Sequence, residues 1–125
     1  MQDELKLSPL PHTWLLDLDG TIVKHNGYKV DGRDTLIEGA NDFLHSIPQE
    51  DTIIFLTSRE EKYRCETESF LRENNIRYDH IIFDLPYGER ILINDDKPSG
   101  LSVSICLRKR RDDSVFPHIL IDDTL

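Results

Sequence analysis

Thr13-Trp14-Leu15-Leu16-Asp17-Leu18-Asp19-Gly20-Thr21 is the stretch that decides how this chain is read. The run from Thr13 to Leu18 is short and rich in strand-forming residues, and Gly20 supplies the backbone freedom for a sharp turn behind it. The pattern predicts a buried strand that ends in two carboxylates, Asp17 and Asp19. In an open parallel α/β sheet, ligands bind at the carboxyl ends of the strands. The pair is therefore a candidate nucleophile and acid/base couple, although a solvated acidic loop or a helix cap would fit the same residues taken alone.

Two further stretches bear on that choice. Ile53-Ile54-Phe55-Leu56-Thr57-Ser58-Arg59 reads as a second strand ending in hydroxyls, and Ile91-Leu92-Ile93-Asn94-Asp95-Asp96 as a later strand ending in an acidic pair. In this order, the three stretches resemble the motifs of the haloacid dehalogenase-like (HAD) superfamily: DxDx[TV] behind a hydrophobic strand, a strand-terminal Thr or Ser, and an acidic motif behind the fourth strand. Ile93-Asn94-Asp95-Asp96-Lys97-Pro98 also looks like the IDDRP-type fourth motif of deoxynucleotidases and related small proteins. The resemblance spans about Thr13 to Leu107. It implies an α/β, Rossmann-like fold in which a small, mainly parallel sheet is flanked by helices.

Length and charge bound the remaining choices. The 125 residues suit one domain, 1–125, with a core over about 13–107 and a C-terminal extension over 108–125. A net charge of −9, from 15 basic and 24 acidic residues, argues against nonspecific nucleic-acid or anionic-membrane binding, so neither is an expected partner. No apolar run approaches the roughly twenty residues needed to span a bilayer, and Met1 to Pro11 lacks the charged start and apolar core of a signal peptide. A soluble, cytoplasmic protein is expected. Cys65 and Cys106 stand far apart with no pairing pattern, and the histidines show no zinc-type spacing.

Between the motifs, Asn26-Gly27 and Asp31-Gly32 flank Tyr28-Lys29-Val30 and predict a small hairpin or flap over the catalytic loop. Thr35 to Glu38 reads as a capping box, opening a helix over about Thr35–Ile47 that Pro48 ends. Ser58 to Glu61 reads as a second capping box, before a helix with Tyr63, Thr67, Phe70 and Leu71 on its apolar stripe, closed by Asn74-Asn75. Further strands are expected over 80–83, 90–94 and 101–107, giving the order β-α-β-α-β-β-β. Only 38 positions separate Asp19 from Thr57, which leaves no room for a large cap domain. The basic run Arg108-Lys109-Arg110-Arg111 reads as a solvated strand exit, and Phe116 to Ile121 as an apolar stretch able to dock on a sheet edge or a neighbouring subunit, or to fray.

The resemblance assigns roles to these residues. Asp17 would take the phosphoryl group as nucleophile, and Asp19 would protonate the leaving oxygen and then activate water. Gly20, Thr21, Thr57, Ser58 and Lys97 would bind phosphate, with Ser58 equally readable as a helix N-cap. Magnesium would offset the repulsion between phosphate and carboxylates, held by Asp17, the Asp19 carbonyl and either Asp95 or Asp96. The lysine that this layout usually carries before the acidic motif is missing at Asp84-Leu85-Pro86, and Lys62, Arg90 and Lys97 are the candidates to replace it.

The expected function is a magnesium-dependent phosphomonoesterase acting through an aspartyl-phosphate on a small phosphorylated metabolite, a sugar phosphate or a nucleotide. The alternative is a HAD-like phosphate-binding or regulatory domain with impaired catalysis. A receiver domain is disfavoured because the DxD falls on the first strand, and a mutase or dehalogenase because there is no cap to exclude water. Specificity would then fall to the flap at Tyr28, the turn at Tyr87, or a homo-oligomer whose neighbouring subunit closes the site.

Overall fold

The computed structural model describes residues 4–125. Strand β1 (Glu4–Leu7) leads into β2 (Thr13–Asp17), which pairs in parallel with β3 (Thr52–Leu56). In β3 the side chains alternate as a pleated strand requires: Ile53 and Phe55 point into the core, and Ile54 and Leu56 do not. Strand β4 (His80–Ile82) continues the parallel sheet on the far side of β3, so the order is β2-β3-β4. Each fully buried aliphatic or aromatic side chain of this kind contributes roughly 1.5–3 kcal/mol. On the opposite face Leu15 and Ile82 remain about half exposed. The coarse α/β reading holds: a small parallel sheet flanked by helices.

Several local expectations need correction. Residues 24–34 form no hairpin; they carry one short helical turn, α1 (Gly27–Val30), entered through Asn26 in the left-handed region and closed by the Asp31 N–H donating to the Gly27 carbonyl. The Thr35–Glu38 capping box does not form, because these residues are committed elsewhere. The Lys24 N–H donates to the Thr35 carbonyl, Val23 bridges Leu36, and the Ile37 N–H donates to the Ile22 carbonyl. Helix α2 (Ala40–Ser46) therefore starts late, behind Gly39 at φ 88°. Ser58 does not cap the following helix either. A short 3₁₀ turn (Glu61–Tyr63) precedes α3 (Arg64–Glu73), and the Asp84 carboxylate accepts from the Glu61 N–H. Asn74-Asn75 closes α3 as expected, with Asn75 at positive φ.

The strands expected over 90–94 and 101–107 are absent. Asp84 at positive φ, Pro86 and Gly88 turn the chain away from β4, and residues 85–115 run without helix or strand. Ile91 and Ile93 are consequently 83% and 92% exposed. The C-terminal apolar stretch, in contrast, finds a partner: β5 (His118–Ile121) pairs in parallel with β1. Just before it, Phe116 is buried and stacks on Phe43 at 5.3 Å between ring centroids. A Cβ on Gly39 would press on the Ser114 carbonyl and the Phe116 ring, so glycine there lets this segment cross the body of the fold. Among the described residues no helix is long and apolar enough to cross a membrane. Cys65 and Cys106 are exposed and unpaired.

The amino ends of β2 and β3 are tied by the buried carboxylate of Asp51. It accepts from the His12 N–H at 3.0 Å and the Trp14 indole N–H at 2.9 Å, and pairs with the His12 ring at 2.8 Å. Burial alone would raise its pKa, but the bonds from Trp14 and His12 outweigh burial and hold it below the ordinary 3.8. A depressed carboxylate stabilises the fold above its unfolded-state pKa, and that contribution disappears as pH falls through the folded value. Asp51→Ala should therefore cost about 1–3 kcal/mol at neutral pH, with the difference from wild type shrinking below about pH 4. Urea denaturation at a series of pH values checks this; a pH-independent difference would contradict it.

Candidate active site

The turn behind β2 is wound around one carbonyl. Leu18, fully buried, bonds through its N–H to Leu56, and its C=O accepts from Ile22 and Val23 at 3.0 and 3.1 Å. The Gly20 N–H closes the turn on the Val23 carbonyl at 2.7 Å, with Gly20 at φ 81°. Because Leu18, Ile22 and Val23 fix this loop in the core, Asp17 and Asp19 are left projecting from a rigid frame. The register sets Asp17 opposite Leu56, so Thr57 stands level with the pair at the end of the neighbouring strand.

Asp17 and Asp19 are held differently. The Thr21 hydroxyl donates to Asp17 Oδ2 at 2.9 Å, and Arg90 donates to Oδ1 at 2.7 Å. Asp17 is partly open to solvent. Asp19 accepts from the Thr57 hydroxyl on Oδ2 at 2.7 Å and from Arg59 Nε on Oδ1 at 2.9 Å. Arg59, only 3% exposed, also grips Asp34 with both terminal nitrogens, at 2.9 and 2.6 Å, and donates to the Thr67 hydroxyl. Burial by itself would lower the Arg59 pKa; the bonds and charges of Asp34 and Asp19 outweigh it and raise the value. Above the guanidinium, 4.0 Å away, lies the Tyr28 ring, packed edge-on against Tyr63.

Of the residues expected at the site, Asp17, Asp19, Gly20, Thr21 and Thr57 are gathered at the carboxyl ends of β2 and β3. Thr57 is fully buried with its hydroxyl spent on Asp19, so it orients that carboxylate instead of facing a phosphate. The Ser58 hydroxyl reaches the Pro86 carbonyl at 3.5 Å. Asp95, Asp96 and Lys97 lie exposed in the irregular chain after β4. Among the described residues no three His, Cys, Asp or Glu side chains gather to hold a metal ion, and both Asp17 oxygens already accept hydrogen bonds, Oδ1 from Arg90 and Oδ2 from Thr21. The donor set for the expected magnesium is not assembled in this arrangement. Of the candidates for the missing lysine, Arg90 meets Asp17, whereas Lys62 pairs with Glu60.

Arg59 and Asp34 are the site residues that the sequence reading missed. Their pairing spans 25 positions, beyond any local pattern, and the available signal was an arginine directly behind a strand-terminal Thr-Ser. The C-terminal segment also reaches the loop: the Asp112 N–H donates to the Gly20 carbonyl and the Asp112 carboxylate accepts from the His25 N–H, both at 2.8 Å.

No family model and no curated protein matches this chain. Two solved structures are similar. One is a chain in the structure of a Pnkp1/Rnl/Hen1 complex, at 30% identity and TM-score 0.51, covering 66% of this chain and 31% of that one. The other is a chain in the structure of the Pnkp1/Rnl/Hen1 RNA repair complex, at 28% identity and TM-score 0.52, covering 71% and 30%. The chain thus spans under a third of the length of the solved chains that it matches.

Removing Arg59 would leave Asp34, a buried carboxylate, unpaired and Asp19 short of a donor. Arg59→Ala should cost about 3–5 kcal/mol of stability, and Arg59→Lys should recover little because an ammonium cannot bridge two carboxylates as a fork does. Chemical denaturation measures both; a loss under about 1 kcal/mol for Arg59→Ala, in the range of an exposed pair, would refute the assignment.

Proposed function

We propose that this chain is a HAD-type phosphomonoesterase working through an aspartyl-phosphate. The observation that carries the reading is the pair at the end of β2: Asp17 accessible and flanked by the cation Arg90, and Asp19 fixed two positions on by Thr57 and Arg59. An oxygen of Asp17 would attack phosphorus while the bond to the leaving oxygen breaks, and Asp19 would give that oxygen its proton. Water would then attack phosphorus, losing a proton to Asp19, with release of inorganic phosphate and recovery of the Asp17 carboxylate. Arg90 is suited to balance charge on Asp17 and on an incoming phosphoryl oxygen. Thr57 and Arg59 hold the Asp19 carboxylate beside Asp17, and one of these bonds would give way as Asp19 takes up or delivers the proton.

Small phosphorylated metabolites, sugar phosphates or nucleotides, are the substrate class that the resemblance suggests. The similarity to chains of an RNA repair complex favours a second class, the phosphate at an RNA end, which the same carboxylates would serve. The alternative of a phosphate-binding domain with impaired turnover is supported by the placement of Asp95 and Asp96, exposed in irregular chain and not at the end of a paired strand.

Phosphate release from a panel of phosphorylated sugars, nucleotides and an aryl phosphate tests the proposal. The wild-type protein should release phosphate, and Asp17→Asn should lower the rate by at least about 10³-fold, as loss of a nucleophile does. The resemblance further predicts that a metal chelator lowers the rate. Absence of release from every compound would favour the impaired domain.

A further inference from the structure

The basic run Arg108–Arg111 lies on a segment that is lashed to the loop bearing Asp17 and Asp19. Asp112, at φ 60°, binds the Gly20 carbonyl through its N–H and the His25 N–H through its side chain, and the Arg111 stem lies where a Cβ on Gly20 would come within 3.1 Å of it. Beyond this point Phe116 is buried in the core and β5 pairs with β1, so the run is held to the fold from its C-terminal side. Arg108, Arg110 and Arg111 are exposed, and none pairs with a carboxylate among the described residues, in a chain carrying 24 acidic residues. Lys109 is the exception in the run: it folds back over the Phe116 ring and onto the Asp113 carbonyl.

The turn after β4 is tied to the end of β3. The Asp84 N–H donates to the Arg59 carbonyl and the Leu85 N–H to the Thr57 carbonyl. That turn carries Tyr87, 91% exposed and with no aromatic or cationic partner on its ring among the described residues, three residues before Arg90, whose guanidinium is on Asp17. Arginines with no internal partner and an open aromatic ring are what single-stranded nucleic-acid sites are built from: the cations follow the backbone phosphates and the ring stacks on a base.

We infer that the Arg108–Arg111 segment and Tyr87 bind the strand of a phosphate-ended single-stranded nucleic acid whose terminal phosphate lies at Asp17. The net charge of −9 restricts such binding to this edge, so attachment would be local and end-directed, with no general affinity for polyanions. The substrate class rests on the phosphomonoesterase reading, but the binding surface can be tested without turnover.

The test is fluorescence anisotropy with labelled 3′-phosphate and 5′-phosphate single-stranded RNA and DNA oligonucleotides, competed by the matching mononucleotide, on wild-type protein and on R108Q/R110Q/R111Q. Wild type should bind an oligonucleotide at least about tenfold more tightly than the mononucleotide. The triple variant should lose that advantage, with its salt slope smaller by about 2, as expected for three fewer phosphate contacts on a single strand. Tyr87→Ala should weaken oligonucleotide binding by about fivefold or more at constant salt slope, as loss of a stacked base does. The RNA and DNA arms identify the sugar. Thermal melting reports whether the triple variant folds; if it does not, R111Q alone, which keeps the stem against Gly20, takes its place. Equal affinity for mononucleotide and oligonucleotide, or an unchanged salt slope in the variant, overturns the inference. Failure to release phosphate with oligonucleotide binding intact overturns the phosphomonoesterase reading and leaves the surface standing.

Discussion

Arg59 is the constraint on which the site depends. Its guanidinium is out of water, joins Asp19 to Asp34, and carries the Tyr28 ring on its face. A buried cation is tolerated only when its hydrogen bonds are met and its charge is balanced. Two carboxylates from separate loops and the Thr67 hydroxyl meet that demand. The consequence reaches well beyond one ion pair. The loop behind β2, the chain entering α2, the end of β3 and helix α3 all converge on one side chain, and Asp19 has no freedom to turn away.

Asp17 is the opposite case. It is partly open to solvent and is met by Arg90, itself partly exposed, so this partner can be displaced by a ligand at small cost. One carboxylate fixed and its neighbour exchangeable is the division of labour that a proton-transfer group and a nucleophile call for. It comes from position: Asp17 is the last residue of β2, whereas Asp19 lies in the turn wound around the Leu18 carbonyl, where Thr57 and Arg59 reach it.

The parts of this arrangement that were legible in the sequence are those encoded within a few residues. The apolar runs at 13–16 and 53–56 identify β2 and β3, the Gly20 turn identifies where they deliver their side chains, and Asn74-Asn75 marks the end of α3. Capping boxes misled because Thr35 and Ser58 had longer-range partners that local pattern cannot weigh. Apolar content at Ile91–Ile93 suggested a strand, yet a strand exists only where another accepts its hydrogen bonds, and this one has none among the described residues. The same logic in reverse explains Phe116 to Ile121, which gained a partner 114 positions away in β1. The Arg59–Asp34 pair and the Asp112–Gly20 tie are products of the tertiary fold alone.

The central claim, that Asp17 is the residue to which phosphate is transferred, is most directly tested by acid-quenched single turnover with a ³²P-labelled phosphomonoester, followed by proteolysis and mass spectrometry. The account predicts transient, acid-stable and hydroxylamine-labile label on the peptide containing Asp17, absent in Asp17→Asn. Label on any other residue, or turnover without a labelled protein at any quench time, would contradict it.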